Sequence, residues 1–352
     1  MRIVVVNTQA PFVSGGAEDH ARRLCEELKS AGHQSELVTI PFNWVSAEGI
    51  LDHAIAAASI DLAAFFGEPV DMMIGLRFPA YLMQHPNKRI WLIHQYREAY
   101  DLWEKNRSSL RTSPKGNLVR QIISDMDRKA FSDARILYTN SKNVSERLRK
   151  FNGINADPLY HPPPLATRLR SGSLGDYFYF PSRISGLKRQ RLALEALARC
   201  KSPIRIVFTG GADSEIEAAG FRQAVEELKL GDQVEWRGSV SEADLVDLYA
   251  NARGVVFPPF DEDLGYVTLE AMISGKAVIT TTDSGGPLEF ISNGSSGLVV
   301  KPDAQSLAQA LERLWSDPAQ AARFGAQARM EYDRLGMSWG NVIRKLTDTD
   351  AP

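Results

Sequence analysis

Short apolar runs alternate with longer amphipathic segments along the whole chain, and this alternation constrains the fold more than any other feature. Segments with helical periodicity, such as 17–31 and 307–315, separate most of the apolar runs. Nearly continuous apolar strands that alternate with helices are typical of parallel sheets covered on both faces. The sequence therefore predicts an α/β protein. Its predicted strands are 3–6, 36–40, 72–76, 90–94, 136–139, 177–180, 204–208, 234–236, 254–257, 277–281 and 297–300.

A break near the middle divides these strands between two domains. His161-Pro162-Pro163-Pro164 cannot continue a helix or a central strand, and the polar stretch 167–175 behind it resembles a linker. We predict two doubly wound, Rossmann-like domains, residues 1–167 and 168–335, that face each other across a cleft. Ligands of such sheets bind beyond the carboxyl ends of the strands.

Composition excludes several classes of protein. The chain has 352 residues, of which 44% are hydrophobic and 24% charged, so it is neither disordered nor fibrous. A net charge of −2 gives no reason to expect nucleic acid as a partner. The two cysteines, Cys25 and Cys200, lie far apart and form neither a disulfide framework nor a CxxC site. No targeting or membrane-spanning segment is visible, and we expect a cytoplasmic protein.

Paired glycines follow the first predicted strand, in Ser14-Gly15-Gly16-Ala17-Glu18. Glycines let backbone approach a ligand closely, and the N-terminus of the next helix favours an anion. An ordinary tight turn, in which Ser14 or a neighbour caps the helix, explains the same residues equally well.

Two cations, Arg183 and Lys188, lie on the loop after the first strand of the second domain. An arginine and a lysine at this spacing can hold a diphosphate, the arginine through two hydrogen bonds and the lysine as a point charge. Because Arg189 and Arg191 follow, a solvated basic helix start is the alternative.

The segment 258–272 carries the most informative pattern. A strand is predicted to end at Phe257 and a helix to begin near Gly265, which places Glu262 in the loop and Glu270 in the second helical turn. The backbone amides of 264–267 would lack acceptors within the helix. An anion site between two carboxylates suits a ligand with phosphate in the middle and hydroxyls at both ends, such as a nucleotide sugar.

Other readings of this segment stay open. The acids of 261–263 can be helix-capping residues, and Asp261-x-Asp263 also fits a metal-binding pattern. Two carboxylates can also serve as the acid and nucleophile of a glycosidase. His94 ends an apolar strand, where doubly wound sheets present site residues, although a single histidine is more often structural.

Taken together, these motifs resemble the family-4 retaining glycosyltransferases of GT-B fold. The resemblance covers nearly the whole chain and follows the order of the family's motifs. These are Gly15-Gly16-Ala17-Glu18 with Gly32-His33, Asn140-Ser141-Lys142, Tyr160-His161-Pro162-Pro163, Arg183-x4-Lys188, Glu262-x7-Glu270 and Gly285-Gly286-Pro287-x-Glu289. One residue departs from it, because Asp263 stands where the family commonly has glycine.

The resemblance implies roles for the matching residues. His94 would contact the donor sugar, Glu262 would hold sugar hydroxyls and Glu270 the ribose, and Gly15 and Gly16 would close over the diphosphate. The groups implied to hold the diphosphate are Arg183, Lys188 and the backbone amides of Leu264, Gly265, Tyr266 and Val267. A C-terminal helix, about 336–352, would cross back to the first domain.

The implied activity is transfer of a sugar from a UDP- or GDP-sugar to a hydroxyl acceptor without a metal or cofactor, in cell-surface polysaccharide or glycolipid synthesis. A silent nucleotide-sugar-binding partner and a same-fold epimerase or phosphorylase are the alternatives. The acceptor would be a saccharide or a lipid-linked molecule. Basic and aromatic residues alternate in segment 95–129, which would suit peripheral contact with the inner face of a membrane, but a solvated helix pair is an equal alternative.

Overall fold

The computed structural model describes residues 1–11 and 15–348, so the predicted cap Ser14 lies outside the described residues. The chain divides into two compact units. Unit 1 comprises Met1–Pro164 together with Met337–Pro352, and unit 2 comprises Leu165–Gly336. The boundaries expected from the sequence, after residues 167 and 335, lie close to these.

Unit 1 is built around one parallel sheet. Its strands are β1 Arg2–Gln9, β2 Gln34–Pro41, β5 Met72–Arg77, β6 Lys88–His94, β7 Ile136–Thr139 and β8 Asp157–Pro158, with a separate antiparallel hairpin of β3 Ala64–Phe65 and β4 Glu68–Pro69. Its helices are α1 Gly16–Ser30, α2 Ala47–Ala58, α3 Asp101–Glu104, α4 Gly116–Ser132, α5 Lys142–Asn152 and α12 Trp339–Thr347, with short 3₁₀ turns at Ala80–Leu82, Arg97–Ala99 and Leu110–Thr112.

The strand order of this sheet is β2-β1-β5-β6-β7-β8, and every pair is parallel. From β1 the chain moves first to one side and then to the other, which makes the sheet doubly wound. Apolar side chains on both faces of β1, β5 and β6 are buried, as continuous apolar runs predict. The C-terminal helix α12 adds Val342, Ile343 and Leu346 to one of these cores.

Unit 2 contains the second six-stranded parallel sheet. Its strands are β9 Phe178–Pro181, β10 Ile206–Thr209, β11 Val234–Trp236, β12 Gly254–Val256, β13 Val278–Thr281 and β14 Gly297–Val300, in the order β11-β10-β9-β12-β13-β14. Its helices are α6 Gln190–Leu197, α7 Glu215–Glu227, α8 Glu242–Asn251, α9 Tyr266–Ile273, α10 Ala304–Ser316 and α11 Pro318–Leu335, with a 3₁₀ turn at Gly286–Glu289.

Local chemistry explains where these helices begin and end. Serine or aspartate side chains accept an amide hydrogen bond at the start of several of them, among them Ser141 for α5 and Asp303 for α10. Helix α11 ends at Gly336, whose left-handed backbone (φ 59°) is unstrained only in glycine.

The predicted α/β fold with two doubly wound sheets is confirmed. Each of the predicted apolar strands is present, with ends shifted by at most three residues. The hairpin β3–β4 and the two-residue β8 were not predicted, because such short strands carry no periodicity.

Candidate functional site

Three loops of unit 2 meet at the carboxyl ends of its central strands. Strands β9 and β12 are hydrogen-bonded neighbours although β10 and β11 separate them in sequence, so this is the point at which the winding reverses. The loops that leave β9, β12 and β13 all start from this edge. A doubly wound sheet binds its ligands at such a point.

The loops are joined by backbone hydrogen bonds. Phe260 N–H donates to the carbonyl oxygen of Leu187 at 2.7 Å, which ties the β12 loop to the β9 loop. Asp261 and Glu262 N–H donate to the carbonyls of Asp283 and Ser284, each at 2.9 Å. The Glu262 side chain is therefore carried by a loop that is fixed on both sides.

Lys188 and Glu262 form an ion pair in which Lys188 Nζ donates to Glu262 Oε2. Both side chains are about one-fifth exposed, at 22% and 21%. Lys188 Nζ also lies 5.6 Å from the centre of the buried Phe257 ring. Two motifs 74 residues apart in sequence thus contribute opposite charges to one place.

Helix α9 starts beside this pair. Strand β12 ends at Val256, one residue earlier than predicted, and α9 begins at Tyr266, as predicted. The amides of Tyr266 and Val267 are in its first turn, where a helix supplies no acceptors. Gly265 precedes the helix with φ 83°, a conformation that a side chain would strain.

Close backbone packing holds Leu264 and Asp263 in place. A Cβ atom at Gly286 would lie 2.5 Å from the carbonyl oxygen of Asp263 and 2.6 Å from that of Leu264. Gly286 N–H donates to the carbonyl oxygen of Glu262 at 2.8 Å. The Gly285-Gly286 turn is therefore a support for the Glu262 loop, because only glycine permits this approach.

Glu270 lies in the second turn of α9, as predicted, and the hydroxyl of Tyr249 on α8 donates to its Oε2 at 2.7 Å. Burial, and after it the charge of Glu270, raises the pKa of Tyr249 well above its ordinary value, so the phenol stays protonated. The Tyr249 ring is fully buried against Tyr179, with ring centres 4.9 Å apart. Tyr249 thus orients one oxygen of Glu270.

Arg183 is the most open of the predicted charged residues. It donates to Asp213 at 2.6 Å, and the two side chains are 47% and 39% exposed. An exposed pair of this kind contributes little to stability. Its guanidinium is therefore held only weakly by Asp213.

The predicted residues of unit 1 lie at the start of α1 and at the end of β6. Gly15 is the extended residue before α1 (φ −168°) and Gly16 is the first helical residue. Glu18 pairs with Arg77, at the end of β5, at 3.0 Å. His94 ends β6 and is half-buried, with Nδ1 2.6 Å from the carbonyl oxygen of Gln95.

Two alternatives drawn from the sequence are corrected by the structure. Arg189 is not part of a solvated helix start, because it is only 15% exposed and makes two hydrogen bonds to Asp283, whereas Arg191 is 66% exposed. Tyr96 and Tyr100 are buried, at 8% and 3% exposure, so they do not form an outward aromatic surface in segment 95–129.

Sequence reasoning missed Tyr249, Asp283 and Arg77. In the sequence, each is an ordinary core, loop or strand residue. Only the tertiary fold brings them into contact with Glu270, Arg189 and Glu18, respectively. Across residues 1–11 and 15–348, no group of three or more His, Cys, Asp or Glu side chains is arranged to hold a metal ion. Within the same part of the chain, no helix has the length and apolarity needed to cross a bilayer.

Comparison with known proteins adds the family. Residues 171–331, nearly all of unit 2, match the family model "Glycosyl transferases group 1". A D-inositol 3-phosphate glycosyltransferase of Streptomyces avermitilis is 26% identical over 253 residues, which cover 65% of this chain and 53% of that protein. The chain thus spans about half the length of this curated relative.

Two solved structures resemble the chain over nearly its whole length. The sucrose-phosphate synthase of Thermosynechococcus elongatus has a TM-score of 0.75 and 19% identity, with 98% of this chain and 97% of that one covered. Anabaena HepE, in complex with UDP-glucose, has a TM-score of 0.72 and 14% identity, with 99% of each chain covered. The match identifies a group 1 glycosyltransferase domain in residues 171–331, and the chain has the GT-B fold that the motif resemblance implies.

Proposed function

We propose that the chain transfers a hexosyl group, with retention of anomeric configuration, from a UDP- or GDP-sugar to a hydroxyl acceptor. The observation that carries this proposal is the convergence of Lys188, Glu262 and the first turn of α9 where β9 and β12 lie side by side. A cation, the amides of a helix N-terminus and a carboxylate at one point suit a ligand that joins a diphosphate to a sugar.

The diphosphate is proposed to bind Arg183, Lys188 and the amides of the Leu264–Val267 segment. Lys188 pairs with Glu262. A diphosphate carries more negative charge than one carboxylate, so we expect Lys188 to turn toward the phosphate. Glu262 is then available for the hydroxyls of the sugar.

The proposed reaction requires no external proton acceptor. The bond between the anomeric carbon and the distal phosphate oxygen breaks, and the acceptor oxygen bonds to the same carbon from the same face. The acceptor's proton passes to the departing phosphate oxygen. Lys188, Arg183 and the α9 amides stabilise the charge that develops on the leaving diphosphate.

Glu270 is proposed to hold the ribose hydroxyls of the donor. Its Oε2 accepts a hydrogen bond from Tyr249, and a carboxylate has lone pairs on both oxygens with which to accept from hydroxyls. A fixed carboxylate binds a diol better than a mobile one, because less side-chain entropy is lost on binding.

The acceptor is proposed to be a saccharide or a lipid-linked molecule of cell-surface polysaccharide or glycolipid synthesis. The names of the curated relative, an inositol phosphate glycosyltransferase, and of HepE in complex with UDP-glucose support a hydroxyl acceptor and a UDP-sugar. A cytoplasmic location, contact with a membrane and the roles of His94, Gly15 and Gly16 stay predictions.

A donor screen tests the proposal. The chain is titrated with UDP- and GDP-sugars by calorimetry, and the donor that binds is then incubated with saccharide and lipid-linked acceptors. We expect binding and a glycosylated product of retained configuration. Binding without a product would favour a silent partner, conversion of the donor's sugar an epimerase, and cleavage by phosphate a phosphorylase.

Metal independence has a separate test. Turnover is measured after exhaustive chelation with EDTA and again after addition of manganese. We expect no change, because Lys188, Arg183 and the helix amides already supply positive charge. Loss of activity with EDTA and its return with manganese would favour the Asp261-x-Asp263 metal reading.

A further inference from the structure

Arg189 has a backbone conformation that arginine rarely adopts. It directly precedes α6 with φ 59° and ψ 40°, in the left-handed region that favours glycine. Residues other than glycine are strained there, and such strain persists only where surrounding contacts hold it. The contacts of the Arg189 side chain therefore need an explanation.

Those contacts join Arg189 to two other loops. Its Nη1 and Nη2 donate to Oδ1 and Oδ2 of Asp283 at 2.8 and 2.7 Å, a two-bond pair between residues 94 apart in sequence. Its guanidinium carbon also lies 5.0 Å from the centre of the Phe260 ring. One side chain on the β9 loop thus contacts both the β13 loop and the β12 loop.

Asp283 is also held in place at this contact by its own neighbours. The hydroxyl of Thr281 donates to its Oδ1 at 3.0 Å. Partial burial acts to raise the pKa of the Asp283 carboxyl, but the hydrogen bonds and charge of Arg189 outweigh burial and hold it below its usual range. The Asp283 carboxylate therefore remains charged at neutral pH.

The residues that the pair adjoins are those of the candidate site. Arg189 directly follows Lys188, and the carbonyl of Asp283 accepts the N–H of Asp261, next to Glu262. Phe260, under the guanidinium, donates its N–H to Leu187. Movement of either partner would therefore shift Lys188 and Glu262 relative to each other.

We propose that Arg189 and Asp283 act together as positioning residues that hold Lys188 and Glu262 at the spacing needed for sugar transfer. The proposal rests on the proposed function. Neither residue need touch the donor, since each acts through the loop that carries a neighbour in the site. The strained backbone at position 189 is retained because glycine, which would relieve it, has no side chain to make the pair.

Two variants test the pair. Arg189→Gly suits the left-handed backbone and removes the side chain, and Asp283→Asn keeps the shape but not the charge. A misplacement of about 1 Å in a site can cost roughly 100-fold in rate, so we expect each variant to lower the turnover number about 10-fold or more while the donor KM changes less. The double variant should be no worse than the poorer single one, because the residues act as a unit.

Arg191→Ala is the matched control. Arg191 is also a cation at the start of α6, and it pairs with Glu195 at 3.1 Å on the helix surface. We expect its turnover number and KM to equal those of the unaltered protein. Losses at Arg189 and Asp283 that simply add, or an Arg189→Gly variant as active as Arg191→Ala, would overturn the proposal.

Hydrogen exchange separates this proposal from the proposed function. The N–H groups of Phe260, Asp261 and Glu262 should exchange faster in Arg189→Gly than in Arg191→Ala. The reason is that the Arg189–Asp283 pair holds the β9 and β13 loops, whose carbonyl oxygens accept these N–H groups. If the unaltered chain binds no nucleotide sugar, the proposed function fails whatever these amides do. Equal protection of the three amides in the two variants would refute positioning even in a fully active enzyme.

Discussion

The two units have similar sheets, but a set of buried titratable groups in unit 1 contrasts with a set of ion pairs on the loops of unit 2. In unit 1, His20, His161 and Asp127 are buried, and burial moves their pKa values toward the neutral form. In unit 2, Lys188 and Arg189 lie on the loop between β9 and α6, where each is paired with a carboxylate. The difference indicates that unit 1 uses its buried groups for packing, whereas unit 2 keeps charged pairs at the place where we propose that the ligand binds.

The histidine cluster shows the packing role. His20 and His161 lie with Trp91 and Trp339, and the His20 ring centre is 4.2 Å from that of Trp91 and 4.3 Å from that of His161. Burial lowers the pKa of His20 to about 3. Burial, and then the nearby His20, lowers the pKa of His161 well below its ordinary value. Trp339 comes from α12, so the cluster also fastens the C-terminal helix to unit 1.

The largest expected effect concerns Glu262. Positive charge develops on the sugar as its bond to phosphate breaks, so Glu262→Gln should lower the turnover number roughly 100-fold, the scale of losing one electrostatic stabiliser. The same change frees Lys188 from its partner, and nucleoside diphosphate should bind at least as tightly as before. Steady-state kinetics and calorimetry measure the two quantities. A normal turnover number in this variant would show that Glu262 takes no part in the chemical step.

The next effect is on binding of the diphosphate. Lys188→Ala and Arg183→Ala should each cost about 1.5–3 kcal/mol of nucleoside-diphosphate affinity, the range for hydrogen bonds to charged groups. Lys188 should lie at the upper end and Arg183 at the lower, because Arg183 is 47% exposed and Lys188 only 22%. Arg191→Ala serves as the control. Unchanged calorimetric affinity in both variants would show that the diphosphate binds elsewhere.

Acidification should change the stability of unit 1. Because the folded-state pKa of His20 is about 3, below its ordinary 6.5, the unfolded chain binds more protons between these values. The contribution of His20 to stability is therefore complete above about pH 6.5 and falls as the pH drops, at most by about 1.4 kcal/mol per pH unit. Asp127, whose pKa burial raises from 3.8 to about 7, acts in the opposite sense between these values. Thermal unfolding followed by tryptophan fluorescence measures this dependence.

His20→Phe isolates one histidine of that cluster. The phenyl ring keeps the contact with Trp91 but cannot be protonated. The free energy of unfolding should therefore fall less steeply below pH 6.5, by the contribution of one bound proton, which is at most about 1.4 kcal/mol per pH unit. An identical slope in His20→Phe and in the unaltered protein would mean that His20 does not govern acid stability, and the contrast between the units would lose its basis.

The fold was predictable because its signal is local and repeated. A buried parallel strand needs an apolar run and a covering helix needs an amphipathic one, so β1 or α10 can be identified from its own residues. The start of α9 was predictable too, since Gly265 stands at the change from loop to helix. Two-residue strands such as β8 depend on a neighbour for their hydrogen bonds and leave no such trace.

The site was predictable only in part. The residues of Arg183-x4-Lys188 and Glu262-x7-Glu270 follow strands, and strand ends are where doubly wound folds place ligands. Their partners could not be found this way, because the contacts of Arg189 with Asp283 and of Glu270 with Tyr249 join residues 94 and 21 apart. An arginine in a basic run and a tyrosine in a helix have ordinary explanations until the tertiary fold is known.

The smallest expected effect tests one of these unpredicted partners. Glu270 is assigned to the ribose, a part of the donor that does not react, so Glu270→Gln should mainly raise the donor KM and leave the turnover number nearly unchanged. Tyr249→Phe removes only the hydroxyl that orients Glu270. A hydrogen bond to a charged group is worth about 1.5–3 kcal/mol, and because only part of it bears on donor binding, the KM should rise roughly fivefold. Tyr179→Phe is the matched control, because its hydroxyl is buried at the same ring pair but bonds to Thr209 at 2.6 Å. If Tyr249→Phe and Tyr179→Phe have equal KM values, orientation of Glu270 by Tyr249 is irrelevant to donor binding. If Glu270→Gln instead loses turnover while Glu262→Gln does not, the two glutamates have exchanged roles and the chemistry lies nearer to α9 than to the loop before it.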